Sequence, residues 1–278
     1  MHPPIARDPD LSTLRLHLVG CGRMGGALLQ GWLATGLKPA HVSVSTPHPD
    51  PWLSALCNDG LRLSDRPDTT VDVLVVATKP NRVRDVAEAL SDWDGDRTLV
   101  VSIAAGLSLS ALSDLFGARR AIVRLMPNLP ASIRMGVSGL VANDRTFDRQ
   151  REIAKDLARS VGFVVALENE DQMHALTAVS GSGPAYMFAL AELLQREAER
   201  RGLPAEAAGD LVAWTVAGSG ELLRRSGQSA SHLRAAVTSP AGTTEAALTQ
   251  LLRSGDGLED LLVAALDAAV ARSRELGA

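Results

Sequence analysis

The fold is decided by one stretch near the start of the chain, which reads Leu14-Arg-Leu-His-Leu-Val19 and then Gly20-Cys-Gly-Arg-Met-Gly25. Its first six residues alternate between apolar and polar side chains as a β-strand does, and a helical segment follows at residues 26–33. A G-x-G-x-x-G pattern between a strand and a helix is the fingerprint of a dinucleotide-binding unit. The first glycine permits the tight turn, the second admits a pyrophosphate, and the third lets helix and strand pack closely. The stretch therefore predicts a Rossmann-type domain that binds NAD or NADP.

The rest of the chain divides into a strand-containing half and a helical half. Apolar runs predict further strands at residues 41–45, 72–77, 98–103, 121–126 and 163–167, with helices between them at residues 82–90 and 109–115. Such alternation indicates a parallel sheet covered on both faces. Beyond it, only helices are predicted, at residues 170–179, 185–201, 205–224, 244–252 and 258–276. The fold class is thus α/β, with a Rossmann-type domain at 1–167 and an all-α domain at 168–278.

Composition excludes several classes of partner. Of the 278 residues, 46% are hydrophobic and 22% are charged, which is typical of a soluble globular protein with a real core. The net charge of -4 argues against nucleic acid or an anionic membrane as the main partner. Residues 1–13 lack the apolar core of a signal peptide, and the two cysteines lack metal-ligand spacing. We expect free thiols, no metal site, and a cytoplasmic protein.

The residues at the ends of the predicted strands indicate the choice of cofactor. NAD enzymes commonly place an acidic residue after the second strand, where it binds the ribose. Here Ser45 and Thr46 stand at that place, and the first acid, Asp50, comes later. A carboxylate would repel a 2′-phosphate, whereas hydroxyls can donate to it. The sequence therefore favours NADP, with NADPH preferred and NADH left as an alternative donor.

The helical half contains no lysine after residue 167, and its only histidines are His174 and His232. Neither histidine has an obvious acidic partner for a proton relay, so base catalysis on an alcohol is poorly supported. Reduction of a C=N bond needs less proton chemistry, because an imine is itself basic. One helical segment, residues 211–217, is apolar on nearly all sides. It is covered either by a second subunit or by its own helical bundle.

Taken together, several segments resemble the pyrroline-5-carboxylate reductase family from about residue 14 to residue 275. The glycine fingerprint is the least specific of them. The others, in chain order, are Ala77-Thr-Lys-Pro80, Ser102-Ile-Ala-Ala-Gly106, Arg124-Leu-Met-Pro-Asn128, Ser180-Gly-Ser-Gly-Pro-Ala-Tyr186 and Val237-Thr-Ser-Pro-Ala-Gly-Thr-Thr244. The resemblance implies the last step of proline synthesis, in which NAD(P)H reduces the cyclic imine 1-pyrroline-5-carboxylate to L-proline. It also implies a helical domain that interlocks with a partner's to form a homodimer, which can assemble into a decamer.

The resemblance also assigns residues to the site. It implies cofactor contacts at Val19, Gly20, Cys21, Gly22, Arg23, Met24, Gly25, Ser45 or Thr46, Ala77, Thr78, Lys79, Pro80, Ala104, Ala105 and Gly106. It implies a substrate-binding turn made of Ser239, Pro240, Ala241, Gly242, Thr243 and Thr244, to which we add Asn128, held between two prolines. In that turn the N–H groups at a helix start would hold the substrate carboxylate. Thr244 would hydrogen-bond the ring nitrogen, and Thr244 and Ser239 are the expected catalytic residues.

One position departs from the family pattern. The family usually has two glycines after the proline of this turn, and here the first of them is Ala241. If that position requires a positive φ, the turn is strained. We further expect Thr243 or Thr244 to cap the helix that follows. Two other functions stay open: reduction of a different cyclic imine, and NADP(H) binding by a non-catalytic regulator that has kept the fold.

Overall fold

The computed structural model of the chain describes residues 10–277, which form two compact units. One unit contains residues 10–181 together with residues 270–277, and the other is Ser182–Ala269. The domain boundary predicted at 167/168 lies earlier in the chain than this division and stays a prediction.

The larger unit is built on one sheet of eight strands in the order β3-β2-β1-β4-β5-β6-β7-β8. Its strands are β1 (Leu16–Val19), β2 (Val42–Ser45), β3 (Arg62–Leu63), β4 (Val73–Val76), β5 (Leu99–Ser102), β6 (Ile122–Met126), β7 (Gly136–Ala142) and β8 (Gly162–Ala166). Neighbouring strands run parallel, except that β7 runs antiparallel to β6. The strands predicted at β1, β2, β4, β5, β6 and β8 and the parallel Rossmann arrangement of β1 to β6 are therefore confirmed. Strands β3 and β7 were not predicted, and the antiparallel β7 makes the sheet mixed.

Helices and side chains cover both faces of this sheet. The helices are α1 (Arg23–Ala34), α2 (Pro51–Ala55), α3 (Val83–Ala89), α4 (Leu109–Phe116), α5 (Asp148–Arg159) and α6 (Gln172–Leu176). One core cluster joins Leu16 and Leu18 of β1 to Trp32 of α1, whose indole N–H donates to the Leu157 carbonyl at 2.9 Å. A second cluster contains Leu74. Successive strand residues point to opposite faces, which is why β1 and β4 contribute to both layers.

The smaller unit is entirely helical. It contains α7 (Gly183–Arg200), α8 (Ala205–Ser226), α9 (Ala230–Ala236), α10 (Thr243–Leu251) and the first part of α11 (Leu258–Gly277). Of α8, only Ala208 and Val212 are buried, while Trp214 is 79% exposed. The alternative in which α8 is central in its own bundle is therefore wrong, because the other helices among residues 10–277 leave most of its side chains exposed.

Between α6 and α7 the chain makes a π-helical turn, Thr177–Gly181. The helix predicted at residues 170–179 is thus shorter than expected and ends in this turn. Insertions of this kind are often found at functional sites.

Candidate active site

The glycine fingerprint forms the turn from β1 into α1. Gly20 has a φ of +92°, and a Cβ added there would lie 2.7 Å from the Ala77 carbonyl oxygen, so no other residue fits. A Cβ at Gly25 would overlap the Gly20 carbonyl oxygen. Gly22 caps α1 without any side-chain hydrogen bond, and nothing lies within 4 Å of where its Cβ would be. An open helix N-terminus of this kind suits the pyrophosphate of a dinucleotide.

The segment after β4 supplies an unsatisfied group beside this turn. The Thr78 hydroxyl is buried and has no hydrogen-bond partner within residues 10–277. Its methyl group would lie 3.1 Å from a Cβ at Gly20, so Thr78 borders the glycine turn directly. Lys79 and Pro80 follow it and are exposed. Buried polar groups are nearly always paired, and a ligand atom is one partner that Thr78 can take.

At the end of β2, Ser45 and Thr46 differ in their surroundings. The Ser45 hydroxyl lies 2.8 Å from Nε2 of His17 and 2.6 Å from the Ser64 carbonyl oxygen. The backbone carbonyl of Ser45 accepts the Gly20 N–H at 2.8 Å, which ties the end of β2 to the glycine turn. Thr46 is half-buried and has none of these contacts.

The small residues after β5 have a structural reason that the sequence did not reveal. Ala104 is buried, and its N–H donates to the Ser102 hydroxyl at 3.3 Å. Gly106 has a φ of +84°, and a Cβ added there would come within 2.5 Å of the Leu276 carbonyl oxygen at the end of α11. Glycine is therefore required at 106 by its own backbone and by the approach of α11. Contact of Ala104, Ala105 and Gly106 with a nicotinamide stays a prediction.

Asn128, at the carboxyl end of β6, acts as a bridge. Its side chain is buried; Nδ2 donates to the Ser180 carbonyl at 3.0 Å, and Oδ1 accepts the Val137 N–H at 2.8 Å. It thereby joins the π-helical turn to β7. The Ser180 hydroxyl, in contrast, is buried without a partner among the described residues. Contact of Asn128 with the substrate stays a prediction.

A charged contact on β6 was not predicted from the sequence. The Arg124 guanidinium forms an ion pair with Glu170, and their side chains are only 11% and 30% exposed. The same Glu170 carboxylate accepts the Leu109 N–H at the start of α4 at 2.7 Å. The signal that could have found it is the single arginine in an otherwise apolar strand, because a buried charge requires a partner.

The predicted substrate turn lies in the smaller unit. Ala241 has a φ of +56°, so the position does adopt the left-handed conformation that strains an alanine. Its N–H donates to Oε2 of Glu245 at 2.7 Å, and the Gly242 N–H donates to the Ser239 carbonyl at 3.0 Å. The helix that follows, α10, begins at Thr243.

The expectation that Thr243 or Thr244 caps this helix is wrong. The N-cap is Gly242, which has an extended conformation and no side-chain cap, and Thr243 is already the first helical residue. A glycine has no side-chain oxygen with which to satisfy the first N–H groups of α10. This start of α10 is therefore open to an anion, as the resemblance implies for a carboxylate. The expected roles of Ser239, Pro240 and Thr244 stay predictions.

Other sequence expectations concern thiols, metals and membranes. Cys21 and Cys57 are unpaired, and burial raises the pKa of Cys21 to about 11. In the part of the chain that the structure describes, no group of three or more His, Cys, Asp or Glu side chains could hold a metal ion. Among residues 10–277 there is also no helix of the length and apolarity needed to cross a membrane.

Models of known protein families match both the strand-containing part and the helical part of the chain. Residues 170–276 fit the family model described as pyrroline-5-carboxylate reductase dimerisation, and residues 15–106 fit the one described as NADP oxidoreductase coenzyme F420-dependent. A pyrroline-5-carboxylate reductase of Pseudomonas aeruginosa is 37% identical over 96% of this chain and 98% of its own length.

Solved structures agree with these matches. A pyrroline-5-carboxylate reductase of Coxiella burnetii superposes with a TM-score of 0.87 at 36% identity, covering 96% of this chain and 99% of its own. The Plasmodium falciparum enzyme, solved with NADP bound, superposes with a TM-score of 0.80 at 26% identity, covering 96% and 100% of the two chains. The chain accordingly contains a domain for a nicotinamide cofactor and a helical dimerisation domain. Contact of the glycine turn with the cofactor stays a prediction. With its oxidoreductase fold and with relatives of this identity over nearly its whole length, the chain belongs to the pyrroline-5-carboxylate reductase family.

Proposed function

We propose that the chain reduces the C=N bond of 1-pyrroline-5-carboxylate to give L-proline, with NADPH as the preferred donor. The observation that carries the proposal is the turn before α10, whose N-cap glycine leaves the helix start open to a carboxylate. When bound, the nicotinamide supplies the hydride that the imine carbon accepts. The imine nitrogen takes one proton, so the product is the cyclic amine and the cofactor leaves oxidised.

In this proposal the chain orients its substrate more than it exchanges protons with it. An imine nitrogen is basic enough to take its proton from water, and hydride transfer then depends on alignment. The N–H groups at the start of α10 bind the carboxylate, helped by the positive end of the helix dipole. The Thr244 hydroxyl bonds the ring nitrogen, and Ser239 closes the other side of the turn. No lysine follows residue 167, which agrees with a site that works by positioning.

The preference for NADPH is supported by the residues around β2. The acid nearest to the strand, Asp50, is engaged as the N-cap of α2, where its carboxylate accepts the Leu53 N–H at 2.8 Å. That leaves hydroxyls and not a carboxylate at the place where NAD enzymes bind the ribose. NADH is expected to serve as a weaker donor.

We propose that the active form is a homodimer, or a decamer built from such dimers. The helical unit leaves large apolar side chains open, including Phe188, Leu211, Trp214 and Leu222. A patch of this kind on a dimerisation domain is suited to a second copy of the chain. The unpaired thiols of the chain are typical of a protein in a reducing compartment, and we propose that the protein acts in the cytoplasm.

The test is an assay of the purified chain with NADPH and 1-pyrroline-5-carboxylate. We expect the absorbance of the reduced cofactor to fall only when the imine is present, and faster with NADPH than with NADH. Consumption only with a larger cyclic imine would favour a different substrate. Tight NADPH binding without consumption at any pH would favour the non-catalytic regulator.

A further inference from the structure

His17 is a buried ionisable residue that the proposed reaction does not use. It lies on β1 next to Ser43 of β2, and its side chain is wholly buried. Both ring nitrogens face hydroxyl groups of β2: Nδ1 lies 2.7 Å from Ser43 Oγ, and Nε2 lies 2.8 Å from Ser45 Oγ. A histidine buried in a sheet with both nitrogens bonded holds its neighbours in fixed positions.

The directions of these hydrogen bonds follow from the acceptor at their end. Ser45 Oγ is 2.6 Å from the Ser64 carbonyl oxygen, which can only accept, so the Ser45 hydroxyl hydrogen points there. The bond between Ser45 and His17 must then be donated by Nε2–H. A neutral imidazole carries one N–H, so Nδ1 accepts from the Ser43 hydroxyl. Burial lowers the pKa of His17 to about 4, which keeps the ring neutral near pH 7.

This chain of bonds determines what Ser45 can offer to a ligand. Its hydrogen is directed to Ser64, and its oxygen is occupied by His17. The Ser45 side chain therefore has no hydrogen left to donate to a phosphate. Thr46 is the next residue, it is half-buried, and its hydroxyl takes no part in this chain of bonds.

We propose that His17 is a positioning residue of the cofactor site, which holds the Ser45 hydroxyl away from the ligand and leaves Thr46 as the hydroxyl that donates to the 2′-phosphate of NADP(H). The inference rests on the proposed use of NADP(H). Of the two residues that the family resemblance implies as cofactor contacts, Ser45 or Thr46, the inference selects Thr46. It also gives Ser45 a structural role, because the Ser45 carbonyl holds the Gly20 N–H of the glycine turn at 2.8 Å.

The experiment compares single variants of the full chain by equilibrium binding of NADP+ and NAD+ and by the Tm of the ligand-free protein. For Thr46→Val we expect NADP+ binding to weaken about tenfold or more, with NAD+ binding nearly unchanged, because a bond to a charged group is lost. For Ser45→Ala we expect a lower Tm and a ratio of the two Kd values within about twofold of wild type. Ser43→Ala is the matched control, which removes the hydrogen bond at Nδ1 of His17. We expect it, like Ser45→Ala, to lower the Tm and to leave the ratio of the two Kd values within about twofold of wild type.

Two substitutions of His17 separate positioning from packing. The side-chain amide introduced by His17→Gln reaches the place of Nε2 and can still donate to Ser45, whereas the shorter amide introduced by His17→Asn reaches only the place of Nδ1. We expect His17→Gln to bind both dinucleotides more tightly than His17→Asn does. A nitrogen NMR spectrum of the ligand-free protein should show the Nε2–H form of His17.

Three results would overturn the inference. They are a change of the Kd ratio in Ser45→Ala as large as that in Thr46→Val, equal binding by the two His17 variants, and an Nδ1–H form of His17. Each is measured without the imine, so it is distinct from a failure of imine reduction. A wild-type chain that binds neither dinucleotide would overturn both proposals together.

Discussion

The backbone N–H of Ala241 donates to Oε2 of Glu245 at 2.7 Å, across the start of α10. Ala241 has a left-handed φ of +56°, and the residue that holds it lies three positions after Gly242, the N-cap of that helix. A left-handed conformation costs an alanine about 1–2 kcal/mol, and a hydrogen bond to a carboxylate offsets a cost of that size. The turn can therefore keep the shape of a glycine turn although one glycine is missing.

We predict that Ala241→Gly raises the free energy of unfolding. Relief of the left-handed strain is worth about 1–2 kcal/mol, and the extra freedom of glycine in the unfolded chain removes about 0.5–1 kcal/mol of it. The net gain should be up to about 1.5 kcal/mol, measured by urea denaturation. Ala247→Gly, in the interior of α10, is the control and should lower stability by about 1 kcal/mol. Equal losses in the two variants would contradict the account of Ala241.

Removal of the Thr244 hydroxyl should impair the reaction while the fold persists. Loss of a bond to a charged ring nitrogen costs about 1.5–3 kcal/mol, so kcat/KM for the imine should fall roughly 10- to 150-fold in Thr244→Ala. Thr244→Ser keeps a hydroxyl and should recover much of the loss. Thr249→Ala, on the same helix, removes a hydroxyl that bonds only the Glu245 carbonyl at 2.9 Å, and should leave kcat/KM unchanged. Wild-type kinetics in Thr244→Ala would remove this residue from the site.

Stability should fall in mild acid because of His17. Burial lowers the pKa of His17 from 6.5 to about 4, while Asp68 and Arg62 act on it in opposite directions. The unfolded chain thus binds a proton more readily than the folded one. The stabilisation is fully present above pH 6.5 and is lost as the pH falls toward 4, by about 3 kcal/mol in total. Urea unfolding at several pH values should show this loss in wild type and a flatter dependence in His17→Gln. Identical slopes would show that His17 does not titrate in this way.

The ion pair of Arg124 and Glu170 should contribute far more to the free energy of unfolding than a surface ion pair does. Glu170→Ala leaves a mostly buried guanidinium unpaired and should lower the free energy of unfolding by about 3–5 kcal/mol. Asp85→Ala removes the partner of Arg82 in a pair whose side chains are 56% and 67% exposed, and should cost less than about 1 kcal/mol. Equal costs in the two variants would mean that Glu170 is not the partner on which Arg124 depends.

The strand-turn-helix at residues 14–33 was predictable because its glycines and its apolar periodicity are local properties. Strand β7 and helix α5 were missed for local reasons as well. Gly136 and Gly139 lie inside β7, where glycine is usually unfavourable, and α5 is mostly charged with only Ala154, Leu157 and Ala158 buried. Such elements form because they pack against the rest of the sheet and its core.

The site residues stay predictions, but the structure shows which of their contacts could not be read from the sequence. Gly106 was expected to contact the cofactor, and the structure shows in addition that the end of α11 approaches it. Ser45 or Thr46 was expected to contact the cofactor, and the structure shows that the Ser45 hydroxyl is held by His17 and Ser64, which are distant in sequence. Contacts between distant residues of this kind leave no periodic pattern in one sequence.

The most direct test of the proposed function is the stoichiometry of the reaction. The full chain, purified and mixed with NADPH and 1-pyrroline-5-carboxylate, should form one L-proline for each NADPH oxidised, with NADH giving the same product more slowly. The proposed function would be contradicted if NADPH stayed reduced and the imine stayed unconverted in a chain that is shown to be folded and to bind NADP+.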